Sequence, residues 1–225
     1  MYYDSSFLLL IPALIIAAYA QFKVKGTFRK YNQVPSQKGY TGRDVARSIL
    51  DRSGLSDVQV LSIRGELTDH YDPRQRVVRL SESVYNKSSI AAVSVAAHEV
   101  GHAIQHQEGY APLTFRSLLA PVAGIASQSV WILILLGIIF SIPSLIDIGI
   151  VVFSITVLFQ IITLPVEFNA SKRAIAQLEG GYLTAEETSS SRKVLNAAAL
   201  TYVAATLVAI AQLLRLVLLS NSRRD

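Results

Sequence analysis

The chain has 225 residues, 51% hydrophobic and 16% charged, with 21 Lys and Arg against 16 Asp and Glu, a formal net charge of +5 and no cysteine. The charged share lies below the roughly 25% of soluble proteins, and the mean hydropathy is +0.39; an ordinary soluble domain, a disulfide framework and a thiolate metal site are all excluded, and the lack of cysteine fits a reducing compartment. The basic residues flank apolar runs, where positive-inside bias and anionic headgroups account for them, so the charge is not a nucleic-acid footprint.

The first apolar run, residues 5–22, is within range of a spanning helix, which needs about 20 mostly apolar residues. Met1-Tyr2-Tyr3-Asp4-Ser5 before it carries no Lys or Arg, whereas Lys23, Lys25, Arg29 and Lys30 follow it. That order predicts a retained anchor with its C-terminal end in the cytoplasm, not a cleaved leader. Residues 23–39 read as a basic connector containing Gly and Pro. Residues 41–51 read as an amphipathic helix: Thr41 caps it with Asp44 at the third helical position, Val45, Ile49 and Leu50 form its apolar face, and Gly54 closes it. Residues 58–63 alternate weakly, as a short strand would. Residues 65–73 form a polar connection holding Glu66, Asp69, His70 and Asp72. Residues 76–80 read as a strand, and as a candidate edge strand for an extended substrate. Ser81 begins a short helical turn, and Ser88 or Ser89 caps the helix that follows.

That helix carries His98-Glu99-Val100-Gly101-His102, an H-E-x-x-H motif. Residues four apart share one helix face, so both imidazoles can point at one metal ion. Two neutral His ligands suit zinc, and a carboxylate between them stands where it can deprotonate a water beside the metal. The pattern predicts metal-assisted peptide hydrolysis with Glu99 as general base. The helix is not a membrane span, since its apolar lead, 90–97, is bounded by Lys87 and Glu99. Ala91, Ala92, Ala96 and Ala97 suit burial against protein. Gly109 and Pro112 then break the chain.

Three more stretches without Asp, Glu, Lys or Arg follow, at 117–146, 148–166 and 194–214. They predict spans at 118–140, 148–166 and 195–217, the first two joined by a turn with Pro143 and Asp147. Between the second and the last, 167–193 is polar and charged, with Gly180-Gly181 as a break and Thr184 starting a further helix before Glu186-Glu187. Arg215 reads as a snorkelling or bundle-facing cation. The expected fold is a mainly α membrane protein: four transmembrane helices plus a small α+β cytoplasmic domain with two or three strands and the H-E-x-x-H helix. Its parts are an anchor at 1–22, the metallopeptidase domain at 23–115, a helix pair at 116–166, a cytoplasmic segment at 167–193, and a last helix with its tail at 194–225.

Two spans that turn back return the chain to the side it left, so 23–115 and 167–193 share a face. Lys23, Lys25, Arg29, Lys30, Lys38, Arg43, Lys172, Arg173, Arg192 and Lys193 put that face in the cytoplasm; Arg223-Arg224 at the C-terminus point the other way. Zinc needs a third protein ligand, and Glu167, immediately after the apolar Leu164-Pro165-Val166, is the best candidate. Its rivals are His106, one turn beyond His102; Glu108, at the third-ligand position of the longer H-E-x-x-H-x-x-G-x-x-H pattern, although Gln105 stands where that pattern needs Gly; His70; and Asp147, which topology places across the membrane.

Several segments together resemble the bacterial membrane-bound neutral zinc metallopeptidase family of YugP type: Leu67-Thr68-Asp69-His70-Tyr71-Asp72-Pro73, Val77-Val78-Arg79-Leu80-Ser81, Ala96-Ala97-His98-Glu99-Val100-Gly101-His102-Ala103-Ile104-Gln105, Leu164-Pro165-Val166-Glu167-Phe168-Asn169-Ala170-Ser171 and Ala198-Ala199-Leu200-Thr201-Tyr202-Val203-Ala204-Ala205. A wider likeness is to the membrane gluzincins, which place two spans between H-E-x-x-H and a Glu ligand in an E-x-x-A-D setting. Here Ser171 replaces the Asp that would hold a ligand histidine from behind, and Asn169 stands where relatives often carry an acid. The resemblance implies a zinc peptidase with one catalytic Zn2+ on His98, His102 and Glu167. Its partners would be a protein or peptide substrate and the lipid bilayer, in the bacterial plasma membrane. His70, Tyr71 and Arg173 are candidates to steady the developing oxyanion. The alternative is an inactive relative acting as a membrane scaffold or adaptor, against which the intact Glu99 argues.

Overall fold

The structure, a computed structural model, describes residues 5–221; Arg223 and Arg224 lie outside the described residues. It is mostly helical with one small sheet. A short 3-10 turn at Ser5–Leu9 leads into α1 (Leu10–Tyr31), followed by α2 (Gly42–Arg52), β1 (Gln59–Ile63), β2 (His70–Asp72), β3 (Val77–Ser81) and α3 (Glu82–Tyr85). Then come α4 (Ile90–Gln107), α5 (Ala111–Ile139), α6 (Pro143–Glu179) and α7 (Ala185–Asn221). Four helices are long and apolar enough to cross a membrane, at Ser6–Tyr31, Ala111–Ile139, Pro143–Glu179 and Ala185–Asn221.

Three of the four outrun, at one end or at both, the apolar stretches that signal them, whereas α5 starts before its stretch and stops short of its end. α1 continues to Tyr31, into residues expected as a connector, because Lys, Gln, Arg and Phe are acceptable helix formers and Phe28 and Tyr31 are buried in a core. α6 likewise carries on to Glu179 and ends before Gly180 and Gly181, the latter at φ +132°. α7 starts on a capping box, with Thr184 Oγ1 accepting from Glu187 N (3.3 Å) and Thr184 N donating to the Glu187 carboxylate (2.8 Å).

The described residues fall into two compact units. The helical unit comprises residues 5–21, 114–165 and 201–221. Its own core joins Val130 and Ile134 of α5, Phe153 and Val157 of α6, and Ala209 and Leu216 of α7. Within it Gly137 allows close approach, since a Cβ there would lie 2.7 Å from Ile146 Cγ1.

The mixed unit comprises Phe22–Leu113 and Val166–Leu200. Its core gathers Val45, Ile49 and Leu50 of α2, Val78 and Leu80 of β3, Val84 of α3, the Ala-rich face of α4, Ala174 and Leu178 of α6, and Val194 and Leu195 of α7. α2 begins on the Thr41–Asp44 capping box. Ser89 caps α4, accepting from Ala92 N at 3.1 Å and donating to Asn32 Oδ1 at 2.8 Å. Ser94 Oγ donates to Ile90 O (2.6 Å) and meets Ser191 Oγ at 2.7 Å, tying α4 to α7.

The sheet order is β1-β3-β2, with β1 parallel and β2 antiparallel to β3. Two expectations are corrected here. Residues 70–72, read as part of a polar connection, form a strand. Three residues are too short a run for a strand period to be read, and it is pairing with β3 that extends them. Residues 76–80, read as an edge strand, lie in the centre: Val77, Val78, Leu80 and Ser81 are all buried, as in a strand covered on both faces. The edges are β1 and β2, and β2 packs beside α4. The hairpin is closed by Asp72 Oδ1, which accepts from Arg74 N (2.9 Å) and Gln75 N (3.2 Å), and by Arg76 at φ +50°.

Candidate metal centre

α4 presents His98 and His102 one turn apart, with ring centroids 4.8 Å from each other. Gly101 lets α6 approach that turn. A Cβ at Gly101 would come within 2.8 Å of the Ala170 carbonyl oxygen, so any larger residue would push the two helices apart. The close crossing brings Glu167, only 2% exposed, to both imidazoles: Glu167 Oε2 lies 3.3 Å from His98 Nε2 and 3.6 Å from His102 Nε2. Among the described residues, these three form the group able to hold a metal ion, with ligand atoms all within 4.8 Å of one another.

The donor set fits zinc. Tetrahedral zinc with ligand bonds of about 2.0–2.1 Å separates its ligand atoms by about 3.3 Å, close to the two contacts of Glu167. The electrostatics also favour a cation. Burial disfavours a charged His102, but the Glu167 carboxylate, with Glu99 and Gln105 behind it, outweighs that and holds its pKa above the ordinary histidine value.

Each ring is also held from behind. Ser171 Oγ lies 3.2 Å from His98 Nδ1. His102 Nδ1 is 3.0 Å from Gln105 Oε1. Asn169 Oδ1 accepts from Gln105 Nε2 (2.9 Å) and from Arg173 Nε (2.7 Å). Gln105 and Gly101 are the residues a sequence reading undervalues. The signal for Gln105 is an amide three residues past the second His, on the same helix face.

Glu99 is buried beside the histidines, and among the described residues its carboxylate enters no hydrogen bond or ion pair. Asp69 lies close enough to feel its charge: burial holds the Asp69 carboxyl above its ordinary pKa, with Glu99 adding to this and hydrogen bonds from Ser81 N (2.7 Å) and Ser81 Oγ opposing it. Tyr71 of β2 reaches His106 Nδ1 with its hydroxyl at 3.0 Å, and burial raises its phenol pKa. His70 Nδ1 contacts Thr68 O at 2.8 Å. Arg173 makes a two-pronged pair with Glu108, at 2.9 and 2.6 Å. Of the rival ligands, Glu108 is committed to that pair, His106 to Tyr71, and Asp147 belongs to the helical unit, where it accepts from Ser220 Oγ at 2.9 Å.

Comparison with known proteins places this geometry. A family model described as "putative neutral zinc metallopeptidase" matches residues 6–221. A Bacillus subtilis (strain 168) protein named "putative membrane protease YugP" is 52% identical over 218 residues, covering 96% of this chain and 97% of that protein. No solved structure matches the chain.

Proposed function

The chain belongs to the putative neutral zinc metallopeptidase family, and from that premise we propose that it is a membrane-embedded zinc endopeptidase cutting membrane or membrane-proximal proteins. The observation that carries this reading is the meeting of His98, His102 and Glu167 beside an unengaged Glu99. His98, His102 and Glu167 would hold the zinc ion, which would supply a Lewis acid for activating water and polarising a carbonyl.

The chain's own groups do the rest. Glu99 takes the proton from the attacking water and returns it to the leaving amine nitrogen. Of the three candidates to steady the oxyanion, Arg173 is spent on Glu108 and Asn169. Tyr71 is favoured by its place: it stands on the strand beside α4, with its hydroxyl at a histidine one turn from His102. Of the two edge strands, β2 is the one beside α4 and is assigned the substrate-pairing role expected of 76–80.

The mixed unit is assigned to the cytoplasmic side of the bacterial plasma membrane. Support comes from the basic residues of its two segments, among them Lys23, Lys25, Arg29 and Lys30 after the first span and Lys172, Arg173, Arg192 and Lys193 in the second segment. Glu99→Gln is the test. It keeps the shape and the zinc, and it is expected to lower cleavage of a membrane-protein substrate by at least about 100-fold. Cleavage at the wild-type rate in the variant would sink the general-base assignment. A cellular role surviving the change unaltered would favour the scaffold instead.

A further inference from the structure

Gln105 hydrogen-bonds to His102 on its own helix and to Val166 and Asn169 on α6, and these surroundings force one orientation on it. It is fully buried, at 0% exposure. Its Nε2 lies 2.9 Å from the Val166 carbonyl oxygen. A peptide carbonyl only accepts, so the NH2 end of the amide must face Val166. The amide oxygen is therefore the end that meets His102 Nδ1 at 3.0 Å, and that nitrogen must carry the proton. Nε2, the atom facing Glu167, is left with its lone pair outward.

A second fixed point gives the same answer. Arg173 can only donate, and it donates from Nε to Asn169 Oδ1 at 2.7 Å while Glu108 grips its other two nitrogens. The Asn169 oxygen thus faces Arg173, and it can meet Gln105 at 2.9 Å only if Gln105 offers an N–H. The Val166 carbonyl and the Arg173 guanidinium, on separate routes, impose the same polarity on one amide. His98 lacks this: the Ser171 hydroxyl behind it at 3.2 Å can donate or accept, so it leaves the tautomer open.

We propose that Gln105 is the positioning residue of the metal centre, fixing the Nδ1–H tautomer of His102 and tying that ring to the backbone one residue before Glu167. The inference rests on the zinc-peptidase reading above. It explains why a glutamine occupies a fully buried site. Glutamate would turn a carboxylate on the Val166 carbonyl, and an apolar residue would strip the partner from His102 Nδ1.

The test compares wild type, Gln105→Met and Gln105→Glu, purified as full chains in detergent. Zinc affinity is read by competition with a chromophoric chelator, thermal stability by melting, and the tautomer by 15N NMR of histidine-labelled, zinc-loaded protein, in which only 4 histidines contribute. Met is expected to weaken zinc by about 10–100-fold, the usual cost of removing a partner behind a ligand histidine, and to lose the protected His102 Nδ1–H signal. Glu still accepts from Nδ1, so it is expected to keep that signal and most of the affinity even though it melts lower. Affinity that follows melting temperature across both variants would make the role merely structural. Wild type binding zinc through Nδ1, or a Met variant binding as tightly as wild type, would overturn the inference alone. Wild type holding no zinc under metal-replete conditions would overturn the metal reading and this inference with it.

Discussion

In α4 the apolar positions are buried on nearly every side, from Ile90 through Ala91, Ala92, Val93, Ala96, Ala97, Val100 and Ala103 to Ile104. In α5, which is at least as apolar, burial is confined to Ala123, Ala126, Val130, Ile134 and Gly137. Those positions recur every three or four residues and make one stripe, while Leu118, Ile125, Trp131, Ile132, Leu135 and Ile139 face outward. The same kinds of side chain are thus hidden in the mixed unit and displayed in the helical one. Water outside α4 drives its apolar surface inward. Around α5 lipid is as apolar as leucine, so only close-packed small residues gain from contact. An exposed apolar face on α5 is a solvent statement, and the candidate metal site sits in the mixed unit.

The sharpest way to break that division is to remove an acid from each unit. Glu167→Ala is expected to cost zinc affinity more than the about 10–100-fold lost with an outer hydrogen bond, whereas Asp147→Ala should leave zinc unchanged; elemental mass spectrometry reads both. Zinc lost from the Asp147 variant would move the metal to the helical unit. Ile132→Lys tests the solvent directly. At a water-facing position the change would be harmless, but in lipid it costs roughly 3 kcal/mol, seen as a lower yield of membrane-integrated protein. Gly101→Ala should destabilise the mixed unit by about 1–3 kcal/mol, as overpacked cores do, and weaken zinc in parallel, because the added methyl meets the Ala170 carbonyl. Unchanged melting and metal content would mean the helices have room to spare.

The smallest effect is expected from Asp69→Asn. Burial and Glu99 hold the Asp69 carboxyl above its ordinary pKa, so the ionised form burdens the folded state at neutral pH. As pH falls through the raised folded value toward the ordinary carboxylate range, wild type sheds that burden. The variant should therefore match or exceed wild-type stability at pH 7, with its advantage shrinking in acid. Chemical denaturation at both pH values measures it, and an advantage that grows in acid would contradict the sign.

Much of this was legible in the chain alone. Four long apolar stretches mark four helices, because only a spanning segment needs so many uncharged residues in a row. Thr41 with Asp44, the pair Ser88-Ser89, and Thr184 before Glu186-Glu187 announce helix starts, because caps act within one turn; the structure chooses Ser89 and Glu187. The shared face of His98 and His102 follows from a spacing of four. Tertiary structure decided the rest. β2 exists only because β3 offers an edge, and β3 is central because β1 and β2 pair with its two edges. Neither fact is local. Where α6 crosses α4 depends on a missing side chain at Gly101 and the carbonyl of Ala170, 69 positions further along. That crossing delivers Glu167 to the histidines and Gln105 to Val166. Periodicity reports which face of a helix is apolar; which atoms of a distant helix that face will meet is set by packing, and the candidate metal centre is made of those meetings.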